Sequence, residues 1–254
     1  MDIVVPIKFV PDLVEELEID ASGAALDRTF LRLIPNEQDD HALEQALLLK
    51  ERHGGTVTVL TLDTGDVDET LFTAVAKGAD RVIKITGDFA GLNNHAIASL
   101  LHPVLQNLSF DLILTGTQAV DDLDGSLGTL LAARLDLPYV GYITGVMPAD
   151  GNVVVRKEYP GGLIAEMAIR LPAVLGIQAA EKPPRYVVTS LVMQAMKTAR
   201  IEEIEAGQAD SRGAAGVARM FRPEAAAHAE MIEGHPDQVA DALVALLKER
   251  GLLS

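Results

Sequence analysis

Residues 114–128 carry the groups in this chain that are best suited to bind a ligand. Their sequence is Leu-Thr-Gly-Thr-Gln-Ala-Val-Asp-Asp-Leu-Asp-Gly-Ser-Leu-Gly, and they follow a short apolar run. Gly116 allows the backbone to approach a ligand closely, whereas Gly125, Ser126 and the amide of Leu127 lie where a helix is expected to start. Unpaired amides and the positive end of the helix dipole favour a phosphate at such a place. The segment therefore indicates a phosphate-binding loop.

The composition of this loop leaves a second interpretation open. Asp124 or Ser126 could do no more than cap the helix, because short polar residues often precede helices for that reason. Asp121, Asp122 and Asp124 also disfavour a neighbouring phosphate. They are compatible with one only if they point at sugar hydroxyls, at amides or into solvent.

A second polar segment, residues 34–41, precedes another helix, which is expected to open at Asp39 and Asp40. An asparagine just before a helix is usually a cap or a turn residue, and the spacing alone predicts that role for Asn36. Its carboxamide is also able to hydrogen-bond a purine edge or a ribose. Both interpretations concern the same side chain.

Groups for acid–base or covalent catalysis are sparse. The six histidines show no H-x-x-x-H pattern and no Ser/His/Asp arrangement, and the chain has no cysteine. The absence of cysteine excludes a thiol nucleophile, a thiolate metal site and a disulfide. Lys8-Phe9-Val10-Pro11-Asp12 stands after the first strand in place of a G-x-G-x-x-G motif, and no Walker A motif occurs. The sequence predicts no catalytic residue and no metal site. This suits a protein that transfers electrons and does not make or break covalent bonds in a substrate.

The elements that must position the loop alternate between short apolar runs and helical patterns. This alternation is the signature of a parallel sheet with helices on both faces. In such sheets, ligands bind beyond the carboxyl ends of strands near the switch point, which is where the loop follows the fourth strand. The predicted strands are residues 3–10, 56–62, 81–85, 111–115 and 139–144, and the predicted helices begin near Asp39, Val67, Leu92 and Leu127.

The pattern changes after residue 145. Tyr159-Pro160-Gly161-Gly162 separates two β-rich runs, which predicts an antiparallel hairpin. We place the end of the nucleotide-binding α/β domain at residue 180. Residues 181–254 are predicted to be a partner-binding loop and a C-terminal arm, because they are apolar in part but have little core of their own. One amphipathic helix, at residues 238–248, is expected in this arm.

Composition narrows the choice of partners. The formal net charge is −16, which argues against nucleic acid and anionic membrane surfaces, because phosphate neutralisation needs Lys and Arg clusters. A protein partner with a basic contact face suits this charge better.

No apolar stretch of about 18 residues occurs, and the N-terminus lacks a signal-peptide pattern. We therefore expect a cytoplasmic protein without membrane insertion.

Six motifs in order make the chain similar to one known family. They are Asn36-Glu37 with Glu44-Gln45-Ala46-Leu47, Ala76-Lys77-Gly78-Ala79-Asp80-Arg81, Asp111-Leu112-Ile113-Leu114-Thr115-Gly116-Thr117-Gln118, Gly161-Gly162-Leu163, Leu171-Pro172-Ala173-Val174 and Pro184-Arg185-Tyr186. Over residues 1 to about 204 the chain resembles the electron transfer flavoprotein β subunit. In the tail, Arg219-Met220-Phe221-Arg222-Pro223 and Met231-Ile232-Glu233-Gly234 resemble the methylotroph members that serve trimethylamine dehydrogenase.

The resemblance implies a fold and a function. The fold would be α/β, a doubly wound and mostly parallel sheet of the adenine nucleotide alpha hydrolase-like kind, with an antiparallel hairpin and an extended C-terminal arm. The protein would be an electron carrier and not an enzyme. It would form a heterodimer with an α subunit that holds most of the FAD, accept electrons from a flavin-dependent dehydrogenase, and bind AMP with a structural duty.

Position by position, the resemblance implies an AMP site. Its residues would be Asn36, Gly116, Gln118, Asp121, Asp122, Gly125, Ser126, Leu127 and Gly128. Two departures from the family stand out: Gln38 replaces an aromatic that usually approaches the flavin, and Gly125-Ser126-Leu127 replaces a common Asn-Gln-Thr run. Some relatives hold a second FAD in this cleft for electron bifurcation, which remains an alternative to AMP.

The resemblance also implies two contacts with partner proteins. Leu191 would dock in a hydrophobic pocket of the dehydrogenase, although it stands two residues later than the family's leucine. Glu158 would pair with an arginine in the mobile flavin domain of the α subunit. An alternative from another class is a nucleotide-binding stress or signalling module of the same α/β layout, whose late glycine-and-serine phosphate signature does not occur here.

Overall fold

The computed structural model of the protein describes residues 1–89, 91–122, 124–223 and 231–253. Leu123 of the loop and His228 of the tail lie outside the described residues. The chain divides into two compact units, Met1–Arg219 and Met220–Ser254. In the second unit, α6 (Pro236–Glu249) confirms the amphipathic helix that was predicted at residues 238–248.

The first unit is built on a nine-stranded sheet. Its strands are β1 (Ile3–Pro6), β4 (Val57–Leu62), β5 (Arg81–Thr86), β6 (Leu112–Gly116), β7 (Tyr139–Ala149), β8 (Asn152–Tyr159), β9 (Leu163–Arg170), β10 (Ala173–Ile177) and β11 (Ile201–Glu205), whereas β2 (Phe9–Pro11) and β3 (Leu33–Pro35) form a separate antiparallel pair. The order is β11-β5-β4-β1-β6-β10-β7-β8-β9. All neighbours are parallel except β7, β8 and β9, which form the predicted antiparallel hairpin and its continuation.

Helices cover both faces of this sheet, as the alternating pattern predicted. The helices of the first unit are α1 (Glu37–His53), α2 (Asp68–Lys77), α3 (Asn94–Gln106), α4 (Leu127–Leu135) and α5 (Thr189–Thr198). Strand β1 is buried on both sides: Ile3 and Val5 belong to the core under α1 and α2, and Val4 belongs to the core under α3 and α4. A doubly wound α/β fold with a mostly parallel sheet is therefore confirmed.

The sheet has a switch point between β1 and β6. From β1 the chain adds β4 and β5 on one side, and then crosses to place β6 on the other side of β1. The connections on either side diverge there, which leaves a crevice at the carboxyl ends of the two strands. Lys8 follows β1 and Gly116 ends β6 at this crevice.

Several elements differ from the sequence-based expectation. The predicted first strand at residues 3–10 is two strands, β1 and β2, which belong to different sheets. Residues 17–30, where Ala21-Ser22-Gly23 at the centre predicts a hairpin inserted after the first strand, contain an isolated bridge between Ile19 and Leu26 rather than two strands. Helix α1 begins at Glu37, two residues before the predicted Asp39.

Two elements beyond residue 180 join the first unit. Strand β11 pairs in parallel with β5 at the sheet edge, and α5 packs against α2. Strand β11 is hard to predict because its sequence, Ile-Glu-Glu-Ile-Glu, is mostly acidic. Its acidic side chains are matched by β5, where Arg81 binds Glu202 with a shortest distance of 2.6 Å and Lys84 binds Glu203 at 2.9 Å.

No helix within the described ranges combines the length and the apolar character that crossing a bilayer requires.

Candidate nucleotide-binding site

The loop after β6 folds back on itself before α4 begins. Gly125 has a φ of +54°, and a Cβ added there would lie 2.6 Å from the carbonyl oxygen of Thr117. Both the backbone conformation and the available space therefore require glycine. Ser126 occupies the N-cap position of α4, but its side chain makes no capping hydrogen bond. Of the two residues considered as possible caps, Ser126 therefore does not cap α4 through its side chain.

The first turn of α1 closes onto the start of this loop. Asn36 is buried, and its Nδ2 donates to the carbonyl oxygen of Gln118 at 3.0 Å. The Oε1 atom of Gln38 accepts from the amides of Thr117 and Gln118 at 2.9 and 2.8 Å and from the Thr117 hydroxyl. These contacts join residues that are about 80 positions apart in the sequence. They assemble the two predicted segments into one site.

Asn36 corrects one prediction from the sequence. It stands at the N-cap position of α1, as the spacing indicated, yet its side chain makes no capping hydrogen bond. The carboxamide instead binds the loop, because the carbonyl of Gln118 lies within reach across the crevice. The alternative, in which this carboxamide belongs to the site, agrees with its position.

Gly116 is approached by the chain itself. A Cβ at this position would lie 2.7 Å from the Oδ1 atom of Asp39 and 2.7 Å from the Cβ of Gln38. The glycine thus admits the first turn of α1, which takes the place that the sequence analysis assigned to a ligand. The amide of Gly116 donates to Asp39 at 2.7 Å.

Asp39 is a buried carboxylate that links the two strands at the switch point. Besides the amide of Gly116, it accepts a hydrogen bond from the amide of Lys8 at 2.9 Å. Burial raises the pKa of Asp39 from 3.8 to about 6, although the amides of Lys8 and Gly116 oppose the shift by stabilising the charged form. Asp39 therefore titrates close to neutral pH.

The acidic residues of the loop point mainly at amides of the same loop. The Oδ1 atom of Asp122 accepts from the amide of Gly125 at 3.0 Å, and that of Asp124 accepts from the amide of Ser126 at 3.1 Å. Burial disfavours the charged form of Asp124, but hydrogen bonds from Ser126 and Asn94 outweigh this effect and lower its pKa. The expectation that these carboxylates turn towards amides is confirmed for both.

Lys8 provides the positive charge beside the loop. Its Nζ lies 2.7 Å from Asp121 and 3.1 Å from Asp122, and its side chain is 10% exposed. Lys8 was not among the site residues predicted from the sequence. Its place directly after the first strand, where a sheet of this type binds its ligand, is the signal that could have identified it.

Asn94 is a second residue of the site that was not predicted from the sequence. It opens α3 and is buried, and its Nδ2 donates to Asp124 at 3.0 Å and to the Ser126 hydroxyl at 3.4 Å. Within the described residues its Oδ1 has no hydrogen-bonding partner. A buried acceptor beside the loop is available to a hydroxyl or amino group of a ligand, or to water.

Gly128 has a packing role. A Cβ on this residue would lie 2.8 Å from the Thr115 hydroxyl and 2.8 Å from the Tyr139 ring, so the glycine lets α4 lie close to β6 and β7. Leu127 and Gly128 form the first turn of α4, where amides have no acceptor within the helix. These amides and the dipole of α4 remain suited to an anion.

The two predicted partner contacts lie on other elements. Glu158 is exposed on β8, and the Thr144 hydroxyl donates to it at 3.4 Å. Leu191 lies on α5 and is 47% exposed. Neither side chain is brought to the loop by a hydrogen bond or ion pair that we find in the described part of the chain.

Comparisons with known proteins agree with this architecture. The family model of the electron transfer flavoprotein domain matches residues 26–210. An electron transfer flavoprotein subunit beta from Methylophilus methylotrophus is 33% identical, with 98% of each chain covered. The corresponding subunit from Thermoanaerobacterium thermosaccharolyticum is 34% identical, with 73% of this chain and 71% of that one covered. Subunit CarD of the caffeyl-CoA reductase-Etf complex from Acetobacterium woodii is 30% identical, with both chains covered completely.

The matched region contains the switch-point crevice, the loop after β6 and the first turn of α1, and the relatives extend the similarity over the whole chain. The chain therefore belongs to the electron transfer flavoprotein family and resembles its β subunits, so that it is an electron-transfer protein rather than an enzyme.

Proposed function

We propose that this chain is the β subunit of a heterodimeric electron transfer flavoprotein that takes electrons from a flavin-dependent dehydrogenase and passes them to a downstream acceptor. The FAD is held mainly by the α subunit, and this chain binds AMP with a structural duty. The observation that carries the proposal is the similarity to a subunit beta over 98% of both chains.

The loop supports the AMP part of the proposal through its convergent donors. Two amides and one hydroxyl, from Thr117 and Gln118, meet at a single oxygen of Gln38. Three donors around one oxygen is an arrangement that also suits an oxygen of a phosphate or ribose. Because Gln38 is neutral, replacing it at these donors does not require a buried charge to be moved.

The first-turn amides of α4 complete the AMP site. The other residues of the proposed site supply carboxamides, amides or the geometry of the turn. They are Asn36, Gly116, Gln118, Gly125, Ser126, Leu127 and Gly128. Lys8 binds both Asp121 and Asp122 and offsets one of their two negative charges, which reduces their repulsion of a phosphate. Asn94 and Asn36, whose buried side chains border the loop, would offer polar atoms to the ribose and the adenine.

FAD, when bound, supplies the redox chemistry. This chain contributes surfaces to that task. Glu158 on β8 pairs with an arginine of the α subunit, and Leu191 on α5 enters an apolar pocket of the dehydrogenase. The exposure of both residues is compatible with these roles.

Cofactor content tests the proposal. The chain is co-expressed and purified with a candidate α subunit, the complex is denatured, and the released nucleotides are separated and quantified. We expect about one FAD and about one AMP per heterodimer. A stable, nucleotide-free chain that does not bind the α subunit would contradict the proposal.

A second candidate is a carrier with FAD in place of AMP. It is favoured by the similarity to subunit CarD of the caffeyl-CoA reductase-Etf complex. The name of this relative places it in a complex with a reductase, unlike the relatives that are named only as subunit beta. The same measurement separates the two candidates, because about two FAD and no AMP per heterodimer are expected in the second case.

A further inference from the structure

The segment between β10 and α5 lies along α1 and is bound to it by side chains. The amide of Glu181 donates to Gln45 at 3.1 Å, and the Gln45 carboxamide donates back to the Glu181 carboxylate at 3.0 Å. Arg52 binds the same carboxylate at 2.7 Å, and the amide of Ala180 donates to His41 at 3.3 Å. The segment is thus fixed to α1 before it reaches Pro183 and Pro184.

Arg185 makes the densest set of contacts in this segment. Its backbone amide, Nε and Nη2 bind the Glu44 carboxylate at 3.0, 2.9 and 2.9 Å, and its Nη1 binds Glu51 at 2.5 Å. The Nη1 also lies 3.4 Å from the carbonyl oxygen of Lys77, the last residue of α2. One side chain therefore joins the segment to both α1 and α2.

Glu44 makes this contact specific because it is buried, at 3% exposure. A buried carboxylate needs a partner that satisfies both oxygens, and the planar fork of arginine matches this geometry better than an ammonium does. Pairs of this kind contribute little net stability compared with apolar residues of similar size. Their use is more readily understood as a way to fix one arrangement of the chain.

Helix α5 begins only four positions after Arg185 and packs against α2. Three of its large apolar side chains are about half exposed: Leu191, Met193 and Met196. Its far end is held because β11 pairs with β5. The contacts of Arg185 with Glu44 fix the chain just before the N-terminal end of α5.

We propose that Arg185 is the positioning residue of α5, which it holds through Glu44 at a defined place relative to α1. The first turn of α1 also binds the loop after β6, through Gln38. Helix α5 and this loop are therefore both attached to α1. The use of this position for docking a dehydrogenase rests on the proposed function. The positioning itself does not.

The absence of cysteine allows a direct distance measurement. His53→Cys and Gln194→Cys, both exposed, place one spin label on α1 and one on α5. The labels are introduced in the full chain in complex with its α subunit, with any cysteines of that subunit replaced by serine. Double electron–electron resonance then measures the distribution of distances between the two labels. The AMP content of each sample is determined as well.

The main variant is Glu44→Gln combined with Arg185→Gln, which removes both charges and so leaves no unpaired buried carboxylate. We expect its distance distribution to be about twofold broader than that of the parent, with unchanged AMP content. Arg185→Lys keeps the charge opposite Glu44 and should give an intermediate width. This variant provides the result if the neutral pair does not fold. Arg156→Gln, on the β8 hairpin, is the matched control and should leave the distribution unchanged.

A distribution as narrow as the parent's in the neutral pair, or in Arg185→Lys when the neutral pair does not fold, would overturn the positioning role. A parent complex without bound nucleotide would count against the proposed function alone, because the distance between α1 and α5 is measured independently of AMP and FAD.

Discussion

The polar loop after β6 and helix α5 differ in whether the chain itself provides contacts for their polar or apolar groups. In the loop, backbone amides are bound by Gln38, Asp122 and Asp124, which are residues of the chain itself. Along α5, Leu191 and Met193 stay about half exposed. The loop therefore holds its shape without a partner protein, whereas α5 presents a surface that a partner can bury. Substitutions in the first region should change stability, and substitutions in the second should change association.

The largest effect is expected for Gly125→Ala. The added Cβ would meet the Thr117 carbonyl at 2.6 Å in a backbone conformation that disfavours alanine, so the free energy of unfolding should fall by about 4 kcal/mol. Urea unfolding of the purified chain measures this. Bound AMP should be lost as well, because the loop cannot keep its conformation.

Gly151→Ala is the matched control. Gly151 also has a positive φ, +70°, but no described atom lies within 4 Å of an added Cβ. It should lose only about 1 kcal/mol and keep its AMP. Equal losses at the two positions would show that the close packing of the loop is not needed.

The next effect concerns pH. The pKa of Asp39 is raised by burial from 3.8 to about 6, so the folded chain binds this proton more tightly than the unfolded chain. The resulting stabilisation is complete below about pH 4 and is lost as the pH rises through 6. Relative to Asp39→Asn, the wild-type chain should lose about 3 kcal/mol of unfolding free energy between these limits.

Unfolding measured at several pH values for both chains gives this difference directly. Asp210→Asn should show the opposite slope, since a hydrogen bond from the Arg212 side chain lowers the pKa of Asp210 and its contribution is lost as the pH falls. A difference between wild type and Asp39→Asn that does not change with pH would contradict the prediction.

A smaller effect is expected for Lys8→Met. The change leaves Asp121 and Asp122 without the ammonium group that lies 2.7 and 3.1 Å from them, and the partly buried carboxylates should cost about 2 kcal/mol of unfolding free energy. AMP should also bind less tightly, because its phosphate then meets uncompensated negative charge. Lys157→Met, at a half-buried cation near Tyr142 and Tyr159, should leave AMP binding unchanged. Equal AMP affinity in both variants would exclude a role for Lys8.

The sheet and α4 could be predicted from the sequence because their signals are local. Leucines at 127, 130, 131 and 135 define an apolar helix face, and the structure places α4 at Leu127–Leu135. Strand β4 is buried on both faces, so its apolar run is nearly continuous. For the same reason the loop that joins β6 to α4 could be located as the candidate site.

The contacts that complete the site could not be predicted in this way. The rule for residues before helices assigns Asn36 to the helix, whereas the fold brings the carbonyl of Gln118 within its reach. Gln38 and Lys8 act across distances of about 80 and 113 residues in the chain, and single-sequence patterns contain no such pairing. Local propensity describes each segment but not the crevice between them.

Leu191→Ala should have the smallest effect on stability and a clear effect on association. Because the side chain is 47% exposed, its removal should change the free energy of unfolding by only about 0.5 kcal/mol. With the complex of both subunits as the electron acceptor, the KM of the donor dehydrogenase for this carrier should rise about tenfold or more with kcat nearly unchanged, since an apolar anchor contributes binding energy. Leu163→Ala, on the hairpin, removes the same side chain at a more exposed position, 68%, on another element, and it should leave the KM unchanged. If Val188→Ala or Met193→Ala raised the KM while Leu191→Ala did not, the anchor would be another exposed residue near the start of α5, and the contrast between the loop and α5 would stand with a different residue at its centre.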